Sequence, residues 1–187
     1  MCLIQDSSSF ADESRLAGSG ASALVRRASP VTDAAATHVL IHPVQDTTLS
    51  IMANGSSLTS PTVLSPCNQG INISQIWDVN PTGGNVVQFQ NVGNNRCFVL
   101  NTNTPTNGFA ITSSLCIDSI NGNLFSGAVF HASQAITHSK LPLVVTALNN
   151  QVGTLKDTGF CLDRAGNAVV INACNGGLSQ SWLMTAP

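Results

Sequence analysis

The stretch from His38 to Pro187 predicts one all-β domain made of three repeats of about fifty residues each. Short apolar or β-branched runs such as Val39-Leu40-Ile41, Val86-Val87-Gln88-Phe89, Leu143-Val144-Val145 and Ala168-Val169-Val170-Ile171 are broken by Asn, Gly, Pro and Ser. That is the rhythm of strands and turns. Long stretches with apolar residues at i, i+3, i+4 and i+7 are missing, so helices are not expected. Asn-Gly steps at Asn54-Gly55, Asn107-Gly108, Asn121-Gly122 and Asn175-Gly176 suggest hairpins.

The repeat is read from two copies of one motif. Cys67-Asn68-Gln69-Gly70-Ile71 leads into Ser74-Gln75-Ile76-Trp77, and Cys174-Asn175-Gly176-Gly177-Leu178 leads into Ser179-Gln180-Ser181-Trp182. Phe130 stands about midway between the tryptophans, which marks a middle copy and a period of about fifty residues. Upstream, Cys161-Leu162-Asp163 lines up with Ser50-Ile51-Met52, and Cys97-Phe98-Val99 supplies the second copy. Short strands in three such repeats can close into a barrel without an open sheet edge. Trp77, Phe130 and Trp182 are then core residues, and Gln75 and Gln180 satisfy backbone groups beside them.

Residues 1–37 carry Ser7-Ser8-Ser9 and Ala17-Gly18-Ser19-Gly20 with little apolar periodicity, and read as a disordered tail or pro-segment. Arg26-Arg27 is a candidate processing step within it. The tail contains no recognisable secretory signal. Repeats are expected at about 38–82, 83–134 and 135–187.

Composition narrows the function. Charged residues make up 9% of the chain and the formal net charge is −2, so no basic field exists to hold nucleic acid. No apolar run is long enough to span a bilayer. Six cysteines are present, none in a C-x-x-C pair. Cys97 with Cys116 and Cys161 with Cys174 lie at hairpin distance; the alternatives are local disulfides or four buried thiols, and the recurrence of the spacing favours disulfides. Such bonds need an oxidising compartment, so a secreted protein is expected. Cys67 faces Ser50 in the alignment and is expected to be a buried free thiol, with Cys2 as its other possible partner.

The four histidines are scattered. His38 and His42 lie on an extended segment, and no metal, cofactor or acid/base constellation has recognisable spacing, so the chain is not expected to be an enzyme. Asn54-Gly55-Ser56 and Asn72-Ile73-Ser74 form glycosylation sequons.

The Gln75-Ile76-Trp77 and Gln180-Ser181-Trp182 steps, with Cys161-Leu162-Asp163, resemble the Q-x-W repeats and the C-x-D element of ricin-B-like lectins. The resemblance covers about 150 residues and implies a β-trefoil and a carbohydrate-binding, non-catalytic role. It further implies a sugar site in each competent repeat, built from an Asp, an aromatic before the second cysteine, and an Asn before the Gln. A carboxylate accepts vicinal hydroxyl protons, and an aromatic face covers the sugar's C–H patch. Here Met52 and Val99 replace the acid in repeats one and two. Asp163 remains in the third, where Asn172 replaces the aromatic and Ser179 the Asn, leaving Asp163, Asn172, Asn175 and Gln180 as the candidate site. Arg164 and Asn167 are further polar candidates beside it. The alternative is a β-trefoil protease inhibitor acting through Asn101–Gly108 or through Asn149–Gly159 with Lys156.

Overall fold

The computed structural model describes residues 36–55, 57, 59–67, 72–83, 86–100, 102, 104–116, 130–133, 142–151 and 154–187. Residues 1–35, with Cys2 and Arg26-Arg27, lie outside them, as do Asn121-Gly122 and His138, whereas Ala36 and Thr37, expected in the tail, belong to the first strand. Among the described residues the regular structure is strand, interrupted by two 3-10 turns.

The first group of strands is β1 (Ala36–Pro43), β2 (Leu49–Ala53), β3 (Ser60–Pro66) and β4 (Trp77–Gly83). Next come β5 (Val86–Asn91), β6 (Arg96–Val99), β7 (Phe109–Ala110), β8 (Thr112–Leu115) and β9 (Phe130–Ala132). The last group is β10 (Val145–Gln151), β11 (Thr154–Ala165), β12 (Ala168–Ala173) and β13 (Trp182–Thr185). β1 lies between β13 and β4, so the first and last strands of the domain are neighbours. The sheet runs β13-β1-β4-β5-β6-β8-β3-β12-β11-β10-β9, and β9 returns to pair with β5. That return removes the open edge that a flat sheet would expose.

Alternation along the strands sends one side chain in two to the centre. Trp77 and Trp182 are fully buried and Phe130 is 1% exposed. With Phe89 and Phe98 they meet Ile41, Ile51, Ile111, Leu162 and Ile171 in a single cluster. Phe98 is the hub, with its ring centroid 4.2 Å from Trp77, 5.1 Å from Phe89 and 6.3 Å from Phe130. Each indole nitrogen finds a carbonyl at the same place in its repeat: Trp77 Nε1 donates to Ile51 O at 2.9 Å and Trp182 Nε1 to Leu162 O at 3.0 Å. A buried indole without such an acceptor would forfeit much of what its area contributes.

Polar ties hold the turns onto this core. Asn91, fully buried at the end of β5, donates through Nδ2 to Ser74 O and Ile76 O at 2.9 and 3.0 Å. Its Oδ1 accepts from the N–H groups of Gly93 and Asn94. Gly93 can close this turn because it lacks a Cβ, which would lie 3.1 Å from the Ile73 backbone.

His42 is a satisfied core histidine. Leu49 O, 2.8 Å from Nδ1, can only accept, so Nδ1 carries the proton and Nε2 accepts from the Thr185 hydroxyl at 3.0 Å. Burial pushes its pKa below the ordinary value, against the opposing pull of the Leu49 carbonyl. His38 is exposed and lies 3.7 Å from Asp78.

Three expectations need correction. Cys67 is disulfide-bonded rather than a free thiol; the proposed partner Cys2 lies outside the described residues. Only Asn54-Gly55 sits in a hairpin connection, between β2 and β3, among the Asn-Gly steps described. Asn107-Gly108 leads into β7, and Asn175-Gly176 leads into the 3-10 turn at Leu178–Gln180, because in both places the next partner is a distant strand or turn. The Asn149–Gly159 segment is not a loop: Asn149 pairs with Lys156, Asn150 with Leu155 and Gln151 with Thr154, extending the β10–β11 hairpin.

Candidate functional site

The register of the paired strands puts the repeats in correspondence. Ser50 pairs with Ser65, Cys97 with Ser114, and Cys161 with Asn172. Two residues beyond the second member come Cys67, Cys116 and Cys174. The backbone agrees, since Cys67 N donates to Thr48 O and Cys174 N to Gly159 O, each at 2.9 Å and each two residues before the paired position. Disulfides Cys97–Cys116 and Cys161–Cys174, with Cα separations of 4.9 and 5.0 Å, close the second and third hairpins. Ser50 occupies the cysteine position of the first, fully buried, its hydroxyl without a partner.

Opposite residues of an antiparallel pair share a sheet face. Leu162 and Ile171 face the core, so Cys161, Asp163, Val170 and Asn172 share the other face. Met52 with Val63 and Val99 with Thr112 hold the corresponding places in the other repeats. The carboxylate at this position therefore belongs to the third repeat alone.

Asp163 is 5% exposed on β11. Its Oδ2 accepts from Asn172 Nδ2 and from Gln180 Nε2, both at 3.0 Å. Its Oδ1 is buried and has no partner. A buried carboxylate oxygen with unused acceptor capacity is costly.

Gln180 ends the 3-10 turn Leu178–Gln180 and is fully buried. Besides Asp163 it donates to Ala173 O at 3.0 Å, and its Oε1 accepts from Asn175 N at 2.9 Å. Its chemistry is that of a holder: one side chain ties the Asp163 strand, the end of β12 and the Asn175 turn together. Asn175 is exposed, with Oδ1 engaged by Gly177 N at 2.7 Å. Gln75 is buried likewise but, with Met52 in place of an acid, donates among the described residues to Ser65 O and Pro66 O.

Arg164 turns aside from the site. Its Nε donates to Gly166 O at 3.0 Å and its Nη2 lies 3.7 Å from Asp46, a contact between the first and last repeats. The Thr48 hydroxyl, then its N–H and Arg164, hold the Asp46 carboxyl below the usual carboxylate range. Asn167 takes part through its backbone, accepting from Leu64 N at 2.8 Å. Asn72, the second sequon, caps the other 3-10 turn, Ile73–Gln75, accepting from Ser74 N at 3.1 Å.

Sequence reasoning missed two contributors. Asn107 Oδ1 accepts from Ala173 N at 2.7 Å, and Gly108 N donates to Asn172 Oδ1 at 2.8 Å. Both come from the second repeat and reach the third because β7 adds to β12, Ala110 opposite Val170 and Phe109 opposite Ile171. No local signal announces this.

Among the described residues no helix is long and apolar enough to cross a membrane, and no group of three His, Cys, Asp or Glu is placed to hold a metal.

Three strand groups closed around one aromatic core, with an acidic outer position in one of them, make this chain a β-trefoil. Solved structures of the same fold agree. A designed threefold-symmetric protein, ThreeFoil, superposes with a TM-score of 0.62 at 10% identity, over 80% of this chain and 99% of that one. A ricin B-like lectin of Macrolepiota procera, in complex with lactose, gives 0.58 at 16% identity over 80% and 95%. The Polyporus squamosus lectin, bound to the epitope Neu5Aca2-6Galb1-4GlcNAc, gives 0.60 at 15% identity over 79% of this chain and 48% of its own length. No family model and no curated protein sequence matches the chain.

Proposed function

We propose that this protein is a non-catalytic, extracellular carbohydrate-binding β-trefoil with one saccharide site, in the third repeat. The observation that carries the reading is Asp163: its Oδ2 is held by Asn172 and Gln180 while its Oδ1 keeps its acceptor capacity. Sugar hydroxyls are matched donors for such an oxygen, which is buried in the free protein and is reached when the side chains over it move aside. Asn175 and Asn172 border the position, and Gln180 holds the acid from beneath. Lactose and sialylated-epitope complexes of proteins with this fold give the class of ligand to try first. The two hairpin disulfides, together with the bonded Cys67, fit an oxidising compartment.

With Asn172 in place of a stacking aromatic, a single site should bind at about millimolar, worth about 4 kcal/mol. Useful binding then requires multivalent glycans. The experiment is a glycan array, including lactose and the sialylated epitope, probed with the full chain and with Asp163→Asn. An amide can keep its oxygen toward Asn172 and Gln180 but presents a donor where Oδ1 stood, so the fold is retained and binding is lost. Equal array signals from both proteins would refute the site. Silence on glycans together with saturable binding to a protease would favour an inhibitor.

A further inference from the structure

We infer that Asn107, from the second repeat, is a positioning residue for the saccharide site of the third repeat; the inference rests on the reading of Asp163 given above. An asparagine amide can usually turn end for end, exchanging donor for acceptor. Asn172 cannot. On one side it meets Asp163 Oδ2, which here accepts, and on the other the N–H of Gly108, which can only donate. The Gly108 N–H thus dictates that Nδ2 faces the acid.

Two further contacts fix where that N–H stands. Asn107 Oδ1 accepts from Ala173 N at 2.7 Å, and Gly108 N also reaches Ile171 O at 2.9 Å. Gly108 has a φ of 81°, in the region that side chains disfavour, which lets the chain turn between these anchors. The order of dependence runs from Asn107 to the turn, from the turn to Asn172, and from Asn172 to the carboxylate. Gln180 holds Asp163 from within the repeat, so the site is completed across a repeat boundary. Only the oxygen of Asn107 takes part, which makes aspartate its conservative substitute.

The test uses the full chain as wild type, Asp163→Asn, Asn107→Ala and Asn107→Asp on the same glycan array, with amide proton–nitrogen NMR spectra of each. The Asn172 side-chain NH2 signal is assigned by its absence in Asn172→Asp. In Asn107→Ala the signal should move and array affinity should fall about tenfold, with the rest of the spectrum dispersed as in wild type. In Asn107→Asp both should return to near wild type. Glycan binding that is lost in Asp163→Asn but unchanged in Asn107→Ala would overturn this inference and leave the site standing. Wild-type silence on the array, or binding indifferent to Asp163→Asn, would overturn the reading of the site and the inference with it. An equal fall in Asn107→Ala and Asn107→Asp would also overturn it, since the shared oxygen would then not matter.

Discussion

Asn172 donates to Asp163 at 3.0 Å from the position opposite Cys161, where it accepts in turn from Gly108. This hydrogen bond makes the acid a structural residue as well as a candidate ligand-binding one. Truncation by Asp163→Ala should leave the Asn172 Nδ2 without its acceptor and remove one of two from Gln180, costing about 1–3 kcal/mol. Asp163→Asn keeps an oxygen there and should cost less than about 1 kcal/mol by the same measure. Urea unfolding of both variants measures the difference; equal losses would mean that Oδ2 is not the oxygen that matters to the fold.

Ser50 stands where the other hairpins carry a cysteine, fully buried with an unpartnered hydroxyl. Removing the hydroxyl removes an unsatisfied group from the interior, so Ser50→Ala should leave stability unchanged or raise it by up to about 1 kcal/mol. Thermal unfolding checks it, and a drop in the midpoint would show that the hydroxyl has a partner. In the unreduced protein Cys67, Cys97, Cys116, Cys161 and Cys174 should all resist alkylation. Loss of either mapped hairpin disulfide should cost about 3 kcal/mol.

His42 makes stability depend on pH. Its folded pKa lies below the ordinary 6.5, so between the two values the unfolded chain binds a proton that the folded chain does not. Acidification through that window therefore favours unfolding: the contribution is complete above about pH 6.5 and is lost as pH falls toward the folded value. The urea midpoint should be lower at about pH 5.5 than at about pH 7.5, and the difference should shrink in His42→Gln. An unchanged pH difference in the variant would assign it to another group.

Asn91 is the buried tie between its own turn and the 3-10 turn of the first repeat. Asn91→Ala strands the carbonyl of Ser74 and weakens the Gly93–Asn94 turn, for an expected loss of about 3 kcal/mol. Gly93→Ala pushes a Cβ to 3.1 Å from the Ile73 backbone and should cost about 1–3 kcal/mol. Chemical denaturation of each resolves the two.

Much of the fold was legible in the chain because a threefold architecture repeats its constraints. Trp77 and Trp182 each need a carbonyl at the equivalent place in their repeat, and the cysteines recur at the same register. Local patterning was less informative at Asn107-Gly108 and at Asn149–Gly159. An Asn-Gly step favours a turn but says nothing of what the turn then packs against, and the polar residues of a long hairpin read as a loop when their partners alternate weakly.

The sequence by itself determined the strand class, the repeat, the aromatic core and the lone acid at Asp163, since each depends on residue type and spacing along the chain. The tertiary structure decided that Gln180 and Asn172 hold the same oxygen of that acid, that Cys67 is bonded, and that Asn107 reaches the third repeat. The Asn107 contact forms only when β7 is laid against β12, and strand pairing between distant segments is set by the closure of the whole barrel rather than by any local preference.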